Sequence, residues 1–242
     1  MAASGYGKAE YWEERYKTDK ERFDFYVDYT SLQPFLNSIL NEESKILYIG
    51  CGNSLLPDQL YDAGFKNLTC IDTSSTVIED MQTENSTSRP EIKYQVENAL
   101  SMSFDSNMFD LVIDKGTCDA VLCGDKAFKN MRLLCSEVSR VLTETGCFIS
   151  VSHSDEKYRR LHFTAREEYG WTFVTQSLTK PGSKQKYHLY VMQKKAKEEA
   201  QQPQEEEAEG EKEEKEEGDQ PEGEGEPVEE TAETEEEQPP QE

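Results

Sequence analysis

The chain has 242 residues and a formal net charge of −24 at pH 7. Residues 196–242 contain 22 acidic and 3 basic side chains, which leaves residues 1–195 with a net charge of −5. This acidic tail contains no aromatic residue, so it cannot bury enough apolar surface to offset its chain entropy, and we predict disorder there. Residues 1–195 suit one domain with a substantial core. They show no basic face, so nucleic acid is not an expected substrate.

The cysteines indicate neither a zinc site nor a disulfide framework. No Cys-x-x-Cys pair occurs, and we predict buried reduced thiols at Cys51, Cys70, Cys118, Cys123, Cys135 and Cys147. No apolar run approaches membrane-spanning length, and the N-terminal residues resemble neither a signal peptide nor a mitochondrial transit peptide. We therefore expect a cytoplasmic protein without a membrane partner. The sequence gives no sign of an oligomeric state.

The first predicted elements, in residues 1–44, are helical. Residues 9–18 form a helix with several aromatic side chains within two turns. An aromatic linker follows at 23–29, and a short amphipathic helix at 32–40. Because these segments precede any strand, we assign residues 1–44 to a region that covers the site of the following domain.

From residue 45 the pattern changes to alternating strands and helices. Strands are predicted at 46–49, 68–71, 92–96, 109–113 and 146–151, with helices at 55–63, 76–85 (capped by Ser74 or Ser75) and 128–142. Such alternation implies right-handed crossovers and a parallel sheet covered on both faces. Two final strands, 171–177 and 187–192, flank Lys180-Pro181-Gly182-Ser183 and predict an antiparallel hairpin at the sheet edge. Residues 45–195 thus form an α/β, Rossmann-like domain whose mostly parallel seven-stranded sheet has the topology of class I methyltransferases.

A glycine loop after the first strand predicts a nucleoside site. Gly50 and Gly52 follow a buried strand, and we expect a Cβ at either position to fill space that a ligand needs. Asp72 ends the next strand, twenty residues after Gly52. A carboxylate at that distance is placed to accept hydrogen bonds from the two hydroxyls of a ribose.

The same loop argues against a phosphorylated ligand. Leu55 stands where a dinucleotide site would carry its third glycine, and no Gly-Lys-Ser/Thr ending of a P-loop is present. A ligand with a ribose and no phosphates fits best, and S-adenosylmethionine is the common one. The alternative for a glycine pair alone is an ordinary strand-to-helix turn.

Other candidate contacts lie where parallel strands end, because ligands of open α/β sheets bind beyond their carboxyl ends. These ends fall at 50–53, 72–73, 98–99 and 114–116, which adds Asn53 and Thr73. Asn98 is placed to accept from the adenine amine, with Ala99 contributing its N–H, although Asn98 is also a typical turn residue. Lys115 either offers backbone contacts or points away from a sulfonium, because like charges repel, and a solvated lysine is the alternative.

Three aromatic residues before the sheet are candidates for a cofactor lid. Trp12, Tyr16 and Phe25 have no strand partner, and aromatic faces attract a cationic sulfonium. Packing of the first helix against the sheet is the other explanation, and the two are compatible.

The residues of the reaction itself are less evident. His153 follows the fifth strand and is a candidate for substrate contact, although a lone histidine is more often structural. We name no catalytic base, and propose as a hypothesis that Asp114 and Asp119 orient an incoming amine. The histidines show no metal-ligand spacing, so no metal is expected.

Several segments together resemble the methyltransferase-like eukaryotic enzymes that methylate lysine on translation elongation factor 1-alpha. They are Tyr11-Trp12-Glu13-Glu14-Arg15-Tyr16, Ile49-Gly50-Cys51-Gly52-Asn53-Ser54, Asp114-Lys115-Gly116-Thr117-Cys118-Asp119-Ala120, Ser136-Glu137-Val138-Ser139-Arg140-Val141-Leu142, Tyr169-Gly170-Trp171 and His188-Leu189-Tyr190-Val191-Met192. The resemblance covers residues 6–195, and its lysine–glycine–threonine segment is specific to this group. Within this group the chain resembles the lysine methyltransferase 4 type, also known fused to an endothelin-converting enzyme.

The resemblance implies S-adenosylmethionine-dependent protein-lysine methylation, with elongation factor 1-alpha as the protein partner. It also implies cofactor contacts at Trp12, Tyr16, Phe25, Gly50, Asp72, Thr73, Asn98, Ala99 and Lys115. Phe25 stands where the family usually has tryptophan, and Asn98 where it usually has aspartate. Neither change argues against activity.

Three alternatives remain open at this point. Enzymes resembling citrate synthase lysine methyltransferases share the Tyr-Trp-Glu start and the Lys-Gly-Thr segment. A small-molecule methyltransferase would have the same fold, since fold does not fix substrate. A noncatalytic, acidic binding module is disfavoured by Gly50, Gly52 and Asp72.

Overall fold

The computed structural model of the chain describes residues 5–180, 182 and 184–195. By internal contacts the chain divides into two units, Met1–Glu199 and Ala200–Glu242. The second unit, and with it the prediction of a disordered tail over 196–242, lies outside the described residues.

The elements alternate as the sequence predicts. Seven α-helices are described: α1 (Ala9–Thr18), α2 (Tyr29–Ile39), α3 (Leu56–Asp62), α4 (Ser75–Asn85), α5 (Thr117–Leu122), α6 (Ala127–Val141) and α7 (Glu156–Phe163). A short 3₁₀ helix covers Glu167–Tyr169. The seven described strands are β1 (Ile46–Ile49), β2 (Leu68–Asp72), β3 (Lys93–Val96), β4 (Phe109–Lys115), β5 (Leu142–Ser152), β6 (Val174–Thr179) and β7 (Lys186–Gln193).

The strands form one seven-stranded sheet in the order β3-β2-β1-β4-β5-β7-β6. Among the described strands, β7 alone runs antiparallel to its neighbours β5 and β6. This confirms the predicted Rossmann-like sheet with an antiparallel hairpin. The hairpin's second strand, β7, lies inside the sheet rather than at its edge, and β6 forms the edge. The strand order reverses at β1, so the crevice between the ends of β1 and β4 is where this fold binds ligands.

The two faces of the sheet carry separate apolar cores, because successive side chains of a strand point to opposite faces. In β1, Ile46 and Tyr48 join the core under α2, α3 and α4. Leu47 and Ile49 join the core under α6 and α7. All four residues of β1 are buried, as expected for a central parallel strand covered on both sides.

Two helix boundaries have clear local causes. The second helix begins at Tyr29, three residues before the predicted start, because the Asp28 side chain accepts from the Ser31 N–H at its N-terminus. Ser74 rather than Ser75 caps α4, with its Oγ accepting from the Val77 N–H at 3.3 Å. The short helices α5 and α7 were not predicted.

The sixth strand is displaced from its predicted position. It covers Val174–Thr179 rather than 171–177. Trp171 makes an isolated bridge with Lys194, and its indole N–H donates to the Phe163 carbonyl oxygen at 2.7 Å. Its ring packs in the core beneath α6, so its aromatic character reflects burial rather than a strand position.

The six cysteines are all free, and five of them are buried. Cys123 is exposed at the C-terminus of α5, so the prediction of burial was wrong there. Within the described residues, no helix is long and apolar enough to cross a membrane.

Candidate functional site

One cavity at the carboxyl ends of β1, β2 and β4 contains all the residues that the sequence singled out for cofactor contact. Its wall includes Trp12, Tyr16, Phe25, Gly50, Gly52, Asn53, Asp72, Thr73, Asn98, Ala99 and Lys115. They come from the N-terminal region and from four strand ends, up to 103 residues apart in the chain. The structure thus brings the eleven residues together, while their contact with a cofactor stays a prediction.

Backbone conformation and close protein neighbours both favour glycine at the two glycine positions of the loop. Gly50 and Gly52 have φ of 56° and 52°, in the left-handed region that favours glycine. A Cβ at Gly50 would collide with the Thr117 side chain, and one at Gly52 with the Tyr16 hydroxyl. The nearest neighbours of each added Cβ are thus protein atoms, and the expectation that a Cβ would also fill ligand space stays a prediction.

Asp72 fixes the shape of this loop. One carboxylate oxygen accepts from the Gly52 N–H and the other from the Ser74 N–H, each at 3.0 Å. The residue is buried, and this burial raises the pKa of Asp72 against the opposite effect of the backbone donors. Each carboxylate oxygen can accept a further hydrogen bond, so the side chain can hold the loop and two ribose hydroxyls together.

The N-terminal region closes one side of the cavity with aromatic rings. The Trp12 ring stacks on that of Tyr16, with centroids 6.0 Å apart, and meets the Phe25 ring edge-on at 6.2 Å. The indole N–H of Trp12 donates to the Tyr6 carbonyl oxygen at 2.8 Å. Trp12, Tyr16 and Phe25 therefore form ring contacts with one another and line the cavity. Tyr16 and Trp12 also pack with the core of one sheet face, while a lid over a cofactor stays a prediction.

Glu13 attaches this aromatic lid to the rest of the domain. Its carboxylate accepts from the Ser74 and Thr76 hydroxyls, each at 2.6 Å, at the N-terminus of α4. The hydrogen bonds from these residues lower the pKa of Glu13 from 4.5 to about 2. An acidic side chain here also meets the positive end of the helix dipole, which stabilises its charged form.

The strap between α1 and α2, residues 19–28, is held by ionic and polar contacts. Asn53 donates from Nδ2 to the Glu21 carbonyl oxygen at 2.7 Å, so it joins the strap to the glycine loop. Arg22 forms an ion pair with Asp58 at 2.6 Å and donates to the Ser54 carbonyl oxygen at 2.6 Å. Cavity wall and strap are therefore one connected network.

Lys115 is buried rather than solvated. Its ammonium lies 2.7 Å from Asp24 Oδ1 on the strap and also approaches the Phe25 carbonyl oxygen at 3.4 Å. Burial lowers the pKa of Lys115, while the Asp24 carboxylate opposes that shift. The solvated alternative was wrong: this lysine pairs with the strap, and the carboxylate offsets its charge at the cavity wall.

Asn98 occupies a turn as well as the cavity wall. Its Oδ1 accepts from the Leu100 N–H at 2.9 Å. The oxygen proposed for the adenine amine is thus partly engaged by its own turn, which is the turn role that the sequence left open. A second lone pair on that oxygen stays available.

Asp114 is not placed to orient an amine. It is fully buried and accepts from the Thr117 and Cys118 N–H groups at 2.7 and 3.1 Å, capping α5, and from the Ser150 hydroxyl at 2.5 Å. Burial raises the pKa of Asp114. This part of the hypothesis was wrong, because the carboxylate is used to hold the start of α5. Asp119 lies outside the cavity wall, in a separate cluster with Tyr26, Ser152, His153 and Arg159.

Sequence reasoning missed several residues of the cavity wall. Phe23 faces the cavity beside Phe25, with ring centroids 4.9 Å apart, and Tyr6 precedes α1. Thr117 also lies there and donates from its hydroxyl to the Ile49 carbonyl oxygen at 3.0 Å. The Phe-Asp-Phe-Tyr run could have indicated Phe23, because apolar rings in a linker are stabilised by packing against another surface.

The set of groups in the cavity fits S-adenosylmethionine. The buried Asp72 carboxylate lines the cavity and can accept from ribose hydroxyls, and the aromatic rings of the wall offer faces for a sulfonium. The Lys115 ammonium is offset by Asp24 and is not presented as a phosphate-binding cation. Across the described part of the chain, no group of three or more His, Cys, Asp or Glu side chains is arranged to hold a metal ion.

Comparison with known proteins agrees with this geometry. A family model described as a methyltransferase domain matches residues 47–150. The fold is shared with a solved S-adenosylmethionine-dependent methyltransferase from Methanosarcina mazei, at 20% identity and a TM-score of 0.53, covering 71% of this chain and 99% of that one. The N-methyltransferase NodS of Bradyrhizobium japonicum, solved with S-adenosyl-L-homocysteine, also has 20% identity and a TM-score of 0.53, covering 68% and 84%.

Two curated relatives are similar in sequence over most of the described domain. The eEF1A lysine and N-terminal methyltransferase of Xenopus laevis is 42% identical over 169 residues, which is 67% of this chain but 24% of that longer protein. The EEF1A lysine methyltransferase 4 of Mus musculus is 32% identical over 199 residues, which is 78% of this chain and 76% of the mouse protein. The chain thus spans about a quarter of the first relative and most of the second. It belongs to the methyltransferase family that includes EEF1A lysine methyltransferase 4.

Proposed function

We propose that this protein is an S-adenosylmethionine-dependent protein-lysine N-methyltransferase that acts on the elongation factor eEF1A. The observation that carries the proposal is the single cavity that joins Asp72, the glycine loop and the aromatic lid. The acceptor is inferred from the relatives named for eEF1A lysine methylation. A cytoplasmic location is also part of the proposal.

The chain's own residues would contribute binding, orientation and exclusion of water. Asp72 would accept from ribose hydroxyls while it keeps the glycine loop in place. The faces of Trp12, Tyr16 and Phe25 would cover the ligand, since Glu13 and the strap hold them over the cavity. When bound, S-adenosylmethionine supplies a methyl group on a positively charged sulfur. Positioning and exclusion of water are the main requirements of such a transfer.

The charge of the cavity wall supports a cationic ligand. Lys115 would repel a sulfonium if its charge were free, and Asp24 offsets that charge at 2.7 Å. The strap therefore has two functions in this proposal: it carries Phe25, and it brings the carboxylate that makes Lys115 tolerable.

Methyl transfer to purified eEF1A tests the proposal. We expect label from S-adenosylmethionine to enter lysine of eEF1A with the natural chain and with Asp105→Ala, an exposed control remote from the cavity wall. Asp72→Ala should abolish it. Mass spectrometry should locate the added mass on lysine.

Each of the other outcomes would reject one part of the proposed function. No label in purified eEF1A, together with label in another protein of a cytosolic extract, would reject the acceptor and keep the enzyme class. Labelling of small molecules alone would reject a protein substrate. An Asp72→Ala protein that is folded and as active as the natural chain would reject the assigned site.

A further inference from the structure

A second group of polar side chains lies beside the cavity wall, near Gly116. Gly116 lines the cavity, and a Cβ at this position would lie 3.4 Å from the Tyr26 ring and 3.8 Å from Phe25. Tyr26 therefore lies next to the cavity wall at Gly116. Phe25 faces the cavity, while the next residue along the strap faces the second group.

An unusual turn produces this division. Tyr26 has a φ of 67°, and the Val27 N–H donates to the Phe25 carbonyl oxygen at 2.8 Å. This is a three-residue turn with a bulky residue in the left-handed region, a conformation that costs roughly 1–3 kcal/mol and is concentrated at functional sites. The turn lets Phe25 line the cavity while Tyr26, with its ring 5.7 Å from that of Phe25, reaches the second group.

The Tyr26 hydroxyl reaches a buried carboxylate. It donates to Asp119 Oδ2 at 2.5 Å, and Asp119 also accepts from the Ser152 hydroxyl at 2.7 Å. The Arg159 guanidinium, itself buried, forms an ion pair with the other oxygen of Asp119. Burial raises the pKa of the Tyr26 hydroxyl, with the Asp119 charge acting in the same direction, so the hydroxyl stays protonated.

His153 completes the group at its solvent side. Its Nδ1 lies 3.2 Å from Asp119 Oδ2 and 3.2 Å from the Tyr26 hydroxyl oxygen. A carboxylate oxygen accepts, so this contact favours the tautomer with its hydrogen on Nδ1, and in that tautomer Nε2 is an acceptor. The side chain is 56% exposed, which lets a partner reach Nε2.

Aromatic rings and charged side chains lie around His153. The Tyr26 ring lies 5.7 Å from the histidine ring and 5.4 Å from that of Tyr187 on β7. His188, on the same strand, pairs with Asp155 at 3.4 Å instead. Arg159 forms an ion pair with the Asp119 carboxylate, and the Asp114 carboxylate is close enough to help raise the pKa of Tyr26.

We propose that Tyr26, Asp119 and His153 form the acceptor-amine site, in which His153 takes the proton of the incoming lysine ammonium. This rests on the proposed function. The ammonium N–H bond breaks, the proton moves to Nε2, and the nitrogen lone pair becomes free to attack. The resulting imidazolium is stabilised by Asp119 and returns its proton to solvent from the exposed ring. Tyr26 and Asp119 act as positioning residues.

Exchange of His153 for glutamine tests the proton transfer. We expect His153→Gln to lower kcat/KM for the protein acceptor about 100-fold at pH 7, within the usual range for general base catalysis. The ratio of natural to variant activity should shrink as the pH rises towards 10, because the lysine amine then loses its proton unaided. The Kd of S-adenosylmethionine should stay within twofold. His188→Gln, a neighbouring histidine paired elsewhere, should keep the natural pH profile.

Tyr26→Phe provides the second variant, since it removes only the hydroxyl from a residue that keeps its ring contacts. It should lower kcat/KM several-fold without changing cofactor affinity. Asp119 is not a useful position for exchange, because loss of its carboxylate would leave the buried Arg159 unpaired.

Three results would overturn the acceptor site. They are activity of His153→Gln within threefold of the natural chain, a loss that is the same at pH 7 and pH 10, and a Kd for the cofactor that rises in proportion to the loss of activity. Failure of the proposed function is recognised separately, because the natural chain would then transfer no methyl group to protein lysine.

Discussion

The two halves of the sheet's carboxyl edge both present a buried aspartate, and they use it differently. At the end of β2, Asp72 accepts from backbone N–H groups of the glycine loop and of Ser74 and lines the cavity. At the end of β4, Asp114 accepts from the first N–H groups of α5 and from Ser150, and lies outside the wall of the cavity. The two aspartates are one position out of register, because Ile49 of β1 pairs with Ile71 of β2 and with Asp114 of β4. Their side chains therefore point to opposite faces of the sheet, so that one carboxylate holds the loop of the cavity and the other holds a helix.

The chain that follows each aspartate adds to this difference. After Asp72 the chain turns at Thr73 and Ser74, and Ser74 caps α4 with its own hydroxyl. The Asp72 carboxylate is therefore free to face the loop and the cavity. After Asp114, Gly116 turns with a φ of 97° and α5 begins without a capping side chain at that position. Asp114 supplies the missing acceptor.

The largest expected effect follows from exchanging the helix-capping aspartate. Asp114→Ala removes three acceptor contacts from a fully buried site, and we expect the free energy of unfolding to fall by about 3 kcal/mol. Urea unfolding measures it. A variant that keeps its stability but loses cofactor affinity would place Asp114 with Asp72 and end the distinction between the two halves.

The glycine loop allows a sharper comparison with a glycine elsewhere. Gly52→Ala and Gly64→Ala both place a side chain at positive φ, but only the Cβ at Gly52 meets a neighbour, the Tyr16 hydroxyl. We expect both variants to lose about 1 kcal/mol of stability. Only Gly52→Ala should also weaken S-adenosylmethionine binding, by about 30-fold in calorimetric titration, because Tyr16 must move. Equal affinities in the two variants would contradict the role given to Tyr16.

The attachment of the lid has a pH signature. The pKa of Glu13 is lowered to about 2 in the folded protein, so its stabilisation is complete above about pH 4.5 and is lost as the pH falls towards 2. Glu13→Gln should lower the free energy of unfolding by about 1 kcal/mol at pH 6. The difference in the free energy of unfolding between Glu13→Gln and the natural chain should be smaller at pH 3 than at pH 6.

Glu10→Gln, an exposed neighbour on α1, is the matched control and should have little effect at either pH. A Glu13→Gln difference that stays constant from pH 6 to pH 3 would contradict the assignment of this stabilisation to the ionised carboxylate.

The smallest effect concerns the acidic tail and rests on the proposed partner. Residues 196–242 carry a net charge of −19, and a charge of this size raises encounter rates with a basic partner at low salt. Removal of these residues should lower kcat/KM for eEF1A about threefold in low salt and leave it unchanged at 0.5 M salt, where such interactions are screened. Equal rates at low salt would leave the tail as a solubilising extension.

The sheet and the cofactor side of the cavity could be predicted from sequence because their signals are local. Four-residue apolar strands and a glycine pair followed by Asp72 each produce a recognisable pattern within about 25 residues. The different roles of Asp72 and Asp114 could not be predicted, because each aspartate simply follows an apolar run in the sequence. The burial of Lys115 depends on Asp24, 91 residues earlier in the chain, and no local pattern announces that pair.

The short helices were not predicted for a related reason. The fifth helix has only six residues and is held by Asp114 and by packing of Cys118 rather than by an amphipathic repeat. The Tyr26, Asp119 and His153 group likewise combines three distant segments through one strained turn. Sequence had named Asp119 and His153 separately, without the tyrosine that joins them.

Cofactor binding by matched aspartate variants tests the central claim most directly. Calorimetric titration of S-adenosylmethionine would compare the natural chain with Asp72→Asn and Asp114→Asn, each confirmed as folded. We predict at least a tenfold rise in Kd for Asp72→Asn, because the ribose loses a charged acceptor, and a Kd within threefold of the natural value for Asp114→Asn. An unchanged Kd for Asp72→Asn, or a larger rise for Asp114→Asn, would contradict the assignment of the cofactor to the β1 and β2 half of the sheet.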